Sequence, residues 1–275
     1  MTFLLDTPHQ VICGDCLNAL PDLPYAECLF ADPPDNIGLK YDGDNDRMPS
    51  YEYYAWLDEC MRLFVNRAGI SWVSYNAKHT FAVGGLVHNI VAANPGLNAK
   101  SCVQTFTFGQ HNSRDLGNNH RPIVRLKHGE AKLYPNAVRV KSWRQQHGDK
   151  RANPKGRVPG DVFDFPRVTG NAKQRKRWCP TQLHEGLVER CILLSTQRDD
   201  LVIDPFGGTG TVMRVCKRLH RRCITIERNL RYAGNIAEDN RVPLVYMGIR
   251  YDNPFSFWHT LNCTDNTAAA NLGHC

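Results

Sequence analysis

Asp32-Pro33-Pro34-Asp35 follows an apolar run, and the chemistry it offers is one-sided. Two prolines fix φ and remove two N–H donors, which leaves carbonyl oxygens and carboxylates and nothing that donates. An exocyclic aromatic amine complements such a set, because it has two N–H donors and a nitrogen lone pair delocalised into its ring. If Asp32 accepts one hydrogen and the Pro33 carbonyl the other, the nitrogen is held in place and its lone pair becomes more available for attack on an electrophilic methyl group. Direct attack needs no covalent enzyme intermediate, which agrees with the lack of an obvious Cys nucleophile. Taken alone, Pro-Pro after a strand is most often an ordinary turn.

A second segment adds weight to the first. Asp204-Pro205-Phe206-Gly207-Gly208-Thr209-Gly210-Thr211 also follows an apolar run and reads as a strand, a glycine-rich turn and the start of a helix. Such a turn lets a ligand lie against backbone at the mouth of the helix. Glu227 comes about twenty residues past the turn, at the end of the next apolar run, where a carboxylate can accept both ribose hydroxyls of a nucleoside. A dinucleotide site predicts the same acid, but the third glycine position of G-x-G-x-x-G is filled by Met213.

Strands and helices must hold these two segments together. Apolar runs predict strands over 10–13, 27–31, 69–75, 101–108, 123–127, 201–204 and 223–227. Helical spacing predicts a turn of helix over 16–20, then helices over 51–65, 79–93, 183–195 with Thr181 as N-cap, 211–219 and 231–238. Strands alternating with helices imply an α/β fold, a Rossmann-like, mostly parallel sheet with helices on both faces. The tail beyond Tyr251 reads as weakly ordered, with Phe255, Phe257 and Trp258 able to dock on the body.

Composition bounds the partners. The net charge is +7 over 275 residues, but 139–177 alone holds twelve Lys and Arg against three Asp, a net +9 that leaves −2 for the rest. So localised a charge points to a polyanion such as nucleic acid; a solvated basic loop is the plain alternative. The eleven cysteines sit mostly in apolar contexts and read as small core residues. Cys13-Gly14-Asp15-Cys16 has the spacing of half a zinc site, but no second Cys-x-x-Cys completes it, so no metal is expected. No signal peptide or membrane-length apolar run is evident, and a reducing, cytoplasmic setting is expected.

In their order along the chain, these segments resemble the S-adenosylmethionine-dependent DNA amino-methyltransferases in which the catalytic motif precedes the cofactor motif, the permuted beta class. That family usually carries Asp-Pro-Pro-Tyr and a segment similar to Asp-Pro-Phe-x-Gly-x-Gly-Thr, and residues 204–211 match the latter. Its His-Pro-Thr-Gln-Lys-Pro segment is represented by Cys179-Pro180-Thr181-Gln182-Leu183-His184, which agrees at Pro180, Thr181 and Gln182. Gly14-Asp15 also matches, and its acid resembles one near the cofactor adenine. The resemblance spans most of 10–240. It implies S-adenosylmethionine as cofactor, held by Asp15, Asp32, Thr181, Gln182, Asp204, Pro205, Phe206, Gly207, Gly208, Thr209, Gly210, Thr211 and Glu227. The reacting residues would be Asp32, Pro33, Pro34 and Asp35.

What the resemblance implies for the substrate is duplex DNA, bound by a target-recognition insertion at 109–177. The catalytic half would occupy 1–108, the cofactor half 178–250, and a tail 251–275. Phosphate and base contacts are expected from Asn119, Arg121, Arg144, Lys150, Arg151, Lys155, Arg157, Lys173, Arg175, Lys176 and Arg177. Homodimers are common in the family. The main departure is Asp35, where an aromatic normally stacks on the flipped base; its loss removes about 1 to 3 kcal/mol, and an acid there repels phosphate. Tyr41, Tyr51, Tyr53 and Tyr54 are candidates for a substitute face. Asp at the first motif position leans toward adenine N6. Cytosine N4, methylation of RNA, and a DNA-binding protein that retains the fold without turnover are the alternatives.

Overall fold

Nineteen elements built on the patterns above form the computed structural model, which describes residues 7–42, 44–107, 112–246 and 249–251. β1 (His9–Cys13) leads through helix α1 (Cys16–Ala19) to β2 (Ala26–Ala31). A small hairpin, β3 (Lys40–Tyr41) with β4 (Asp44–Asn45), precedes α2 (Ser50–Arg67), β5 (Ala68–Ser74) and α3 (Thr80–Ala93). β6 (Leu97–Thr105) and β7 (His120–His128) form a long antiparallel pair, followed by the single-turn helix α4 (Trp143–Gln146) and the short strand β8 (Val162–Asp164). The chain then alternates through α5 (Glu185–Ser195), β9 (Leu201–Asp204), α6 (Thr211–Leu219), β10 (Arg222–Glu227), α7 (Leu230–Asn240), β11 (Leu244–Tyr246) and β12 (Ile249–Tyr251).

Ten strands make one sheet in the order β12-β11-β1-β10-β9-β2-β5-β7-β6-β8. From β11 to β5 every neighbour is parallel, and β7 and β12 turn the ends antiparallel. Burial on both faces explains why the central strands lack polar alternation. In β2, Leu29 and Ala31 face a core shared with Leu57, Met61 and Phe64 of α2, while Cys28 and Phe30 face the opposite core with Leu187 and Ile192 of α5. Helices on both faces are therefore required to cover it. Among the described residues no helix is long and apolar enough to cross a membrane.

Two differences from the sequence reading have physical reasons. Residues 120–128, inside the stretch expected to be an insertion, form β7, which pairs with β5 over five residues, and β8 adds to the edge beside β6. The sequence predicts this strand only over 123–127; pairing with β6 extends it over 120–128. The helix expected from 183 with Thr181 as cap begins at Glu185, because His184 Nδ1 accepts the Gly186 N–H at 3.0 Å and takes the capping role. Within the basic stretch, Gly156 sits at φ +76° with a backbone oxygen of Val140 2.3 Å from where a Cβ would be, so the chain closes there only on glycine. Phe255, Phe257 and Trp258 lie outside the described residues.

Candidate active site

The carboxyl ends of β1, β10, β9 and β2 open on one cavity of about 730 Å³, where an open α/β sheet places its ligands. Its wall includes Gly14 and Asp15 after β1, Asp32 to Asp35 after β2, Asp204 to Thr209 after β9, and Glu227 at the end of β10. Thr181, Gln182 and Thr211 line it as well. The two segments that opened the sequence reading are therefore walls of the same space.

Glu227 anchors the glycine turn after β9. Its Oε2 accepts the Gly208 N–H at 2.7 Å and its Oε1 accepts the Asn229 N–H at 2.8 Å. A carboxylate has about four lone-pair sites, so acceptor capacity remains for the diol of a ribose. Gly207 packs so closely that a Cβ would fall 2.7 Å from Thr225 Cγ2. Gly210 has φ +71° and caps α6 behind the wall rather than on it. Gly14 and Gly208 keep the wall thin: a Cβ on Gly14 would meet nothing within 4 Å, and one on Gly208 would first meet Cys179 Sγ at 3.9 Å. Asp15 caps α1 through the Leu17 N–H at 2.8 Å. Burial pushes both Asp204 and Glu227 above the usual carboxylate range.

Around Asp32 the loop carbonyls are sorted. Tyr53 Oη donates to the Pro34 carbonyl at 2.8 Å, His79 Nε2 to that of Asp35 at 2.7 Å, and Lys78 Nζ to that of Asn36. Among the described residues no donor meets the Pro33 carbonyl, so the oxygen that an amine would need is the one left for it. His79 keeps its role because its other nitrogen faces Tyr54 Oη at 2.9 Å and burial lowers its pKa, which favours the neutral ring with Nε2 protonated.

Arg121 is the residue the sequence placed wrongly in space. Expected on DNA phosphate, it sits at the start of β7 and reaches into the cavity wall, where one N–H meets Asp32 Oδ1 at 2.7 Å and two meet the Asp35 oxygens at 2.9 Å each. Its Nε–H donates to Ser74 Oγ at 2.6 Å. Burial alone lowers the Arg121 pKa, and the two carboxylates more than reverse it. Asp35 therefore presents to the cavity a neutralised pair and not a bare anion. Burial raises Asp32, with Arg121 pulling it back.

Other expected residues divide by exposure. Arg144, Lys150, Arg151, Lys155, Arg157, Lys173, Arg177 and Asn119 are exposed. Arg151 pairs with Asp149 at 3.0 Å, Lys176 pairs with Asp239, and Arg175 donates to the Pro180 carbonyl at 3.0 Å. Gln182 holds the loop through Lys176 N–H and the Gln174 carbonyl. Of the tyrosines, Tyr53 and Tyr54 are engaged as above, Tyr51 is 73% exposed, and Tyr41 lines the cavity. Sequence reasoning missed Ser74, Lys78, His79 and the pair Phe106 and Arg167, whose guanidinium lies 5.4 Å over the ring at the cavity. The Asn76 turn ahead of Lys78 and His79 was the readable signal for the loop clamp.

A parallel sheet with an acid-tipped glycine turn and a carboxylate-carbonyl pair at the carboxyl ends of its strands defines the class. The chain belongs to the N6_N4_Mtase family of DNA methylases, whose model matches residues 26–238. It is 29% identical over 237 residues to the type II methyltransferase M.HpaI of Haemophilus parainfluenzae, covering 82% of this chain and 71% of that one. It is 28% identical over 239 residues to the DNA adenine methyltransferase YhdJ of Escherichia coli (strain K12), covering 81% and 79%. Two further type II methyltransferases are matched over 63% and 53% of their length. The solved PvuII DNA methyltransferase, cytosine-N4-specific, shares the fold with a TM-score of 0.63 at 16% identity, covering 84% of this chain and 87% of that one.

Proposed function

We propose that this chain transfers the methyl group of S-adenosylmethionine to the exocyclic N6 of adenine in duplex DNA. The observation that carries it is the pair of acceptors at the end of β2: the Asp32 carboxylate, and a Pro33 carbonyl that meets no donor among the described residues while its successors are all occupied. Two acceptors side by side suit the two hydrogens of an aromatic amine. They hold it for in-line attack and stabilise the positive charge that grows on nitrogen as the new bond forms.

Asp15, Glu227 and the backbone of Gly207, Gly208 and Thr209 would hold the cofactor, with Glu227 accepting from the ribose diol. When bound, S-adenosylmethionine supplies an electrophilic methyl group on a cationic sulfur. The exposed Arg144, Lys150, Lys155, Arg157, Lys173 and Arg177 would carry the duplex by its phosphates. The order of the motifs supports the beta-class arrangement, and Asp at the first motif position supports adenine over cytosine.

Incorporation of labelled methyl from S-adenosylmethionine into duplex DNA tests the reading, with Asp32→Ala as the control. Transfer by the wild type alone is the expected result. DNA retention without any transfer would instead identify a binding protein that keeps the fold.

A further inference from the structure

We propose that Arg121 is a positioning residue for methyl transfer: locked side-on against Asp35 and braced by Ser74, it fixes one oxygen of Asp32 so that the other faces the amine. This rests on the reading above and assigns Asp35 a role as anchor of Arg121 in place of a contact to the base.

Four of the five guanidinium N–H groups are committed, one to Ser74, two to Asp35 and one to Asp32, so Arg121 has no fork left for a phosphate. The three acceptors come from two places in the chain: Ser74 ends β5, whereas Asp32 and Asp35 lie in the loop after β2. Parallel pairing of β2 with β5 and antiparallel pairing of β5 with β7 bring them to one point. A planar fork with fixed angles transmits that rigidity to the carboxylate it holds. Ser74 Oγ accepts from Nε at 2.6 Å and so braces the guanidinium from the end of β5. The positive charge also opposes the burial that would otherwise neutralise Asp32, keeping it an acceptor. A carboxylate free to rotate, or one that is protonated, loses its hold on the amine.

The test is steady-state methyl transfer to duplex DNA by the full chain, with kcat against pH and with S-adenosylmethionine affinity by titration calorimetry, for wild type, Arg121→Gln, Arg121→Lys and Asp35→Asn. Arg121→Gln is expected to lower kcat by about 100-fold, the cost of a misplaced reacting group, with cofactor affinity retained. Its acid limb moves up by about one pH unit, since Asp32 loses the opposite charge beside it. Arg121→Lys keeps the limb near the wild-type position while kcat stays low, because an ammonium lacks the planar fork that fixes the angles between its partners. Asp35→Asn, which keeps the shape of the anchor and removes its charge, lowers kcat by about 10-fold and serves where the Arg121 variants do not fold. Wild-type kcat in a folded Arg121→Gln, a loss with the acid limb unmoved, or wild-type kcat in Asp35→Asn overturns the proposal. Absence of transfer by the wild type fails the methyltransferase reading itself and removes this inference with it.

Discussion

Asp35 and Arg121 meet side-on, each carboxylate oxygen 2.9 Å from a different terminal guanidinium nitrogen, across 86 residues of sequence. The two side chains are only 10% and 18% exposed, so neither charge can turn to water if the other is removed. Asp35→Ala leaves Arg121 with Asp32 as its one charged partner and should cost about 1–3 kcal/mol of stability. Chemical denaturation would show this as an unfolding midpoint shifted to lower denaturant at an unchanged slope. An unshifted midpoint would mean that the pair contributes nothing to the fold.

Glu227 both ties down Gly208 and Asn229 and offers its remaining lone pairs to the cavity. Glu227→Ala should weaken S-adenosylmethionine binding by about 10- to 100-fold, the worth of a charge-assisted hydrogen bond or two. Calorimetric titration reads this directly, and turnover at saturating cofactor should fall much less than affinity.

The glycine turn makes a separate prediction about folding. At Gly210 a side chain meets both a left-handed backbone, φ +71°, and Ile236 Cγ2 2.9 Å from the new Cβ. Gly210→Ala should destabilise by about 1–3 kcal/mol and lower the thermal midpoint. Gly14→Ala, with nothing within 4 Å of its Cβ, should leave stability near that of the wild type and act only on ligand affinity.

Asp204 is 2% exposed and its pKa is raised, first by burial and then by the neighbouring Glu227 and Asp32 carboxylates. Above the ordinary Asp value of 3.8, the folded chain holds a proton that the unfolded chain has released, so stability falls as pH rises through the raised folded value. Asp204→Asn keeps the acceptor for the Phe206 N–H and removes the charge. Its melting temperature should exceed that of the wild type at pH values above the folded pKa, and the fall in stability between 3.8 and the folded value should flatten. A variant less stable than the wild type at alkaline pH would show that the ionised carboxylate is a net stabiliser.

Arg144, Lys150 and Lys155 are exposed on the basic stretch, and replacing one phosphate-contacting member by Ala should weaken duplex binding while reducing the slope of log K against log salt by about 1. Fluorescence anisotropy across a salt series gives both numbers. A parallel shift with an unchanged slope would remove that residue from the phosphate contacts.

The parts of this molecule written in local sequence were readable: the apolar strands with both faces covered, the helical spacing of Leu57, Met61 and Phe64, and the glycine turn that ends in α6. Asp32, Pro33 and Glu227, which line one cavity, could be picked out as candidates because each lies at or just after the end of an apolar strand. Arg121 could not, since its partners are 47 to 89 residues away and meet it only through the order β2-β5-β7. In the sequence it is one more base near a basic stretch, and Asp35 is an acid where an aromatic was expected. Only the sheet shows that the two departures cancel each other's charge. His184 displaced Thr181 as the cap for a similar reason, because which side chain reaches the first free N–H is fixed by the path of the loop and not by residue preference.

The central claim is that the acceptors at Asp32 and Pro33 hold an exocyclic amine for methylation, with adenine as the base. Mass spectrometry of nucleosides from duplex DNA incubated with the chain and S-adenosylmethionine tests it most directly. N6-methyladenine is the expected product, absent when Asp32→Ala replaces the wild type. N4-methylcytosine without N6-methyladenine would contradict the choice of base, and methylation of a ring carbon, or of neither amine by an enzyme that binds both cofactor and DNA, would contradict the account itself.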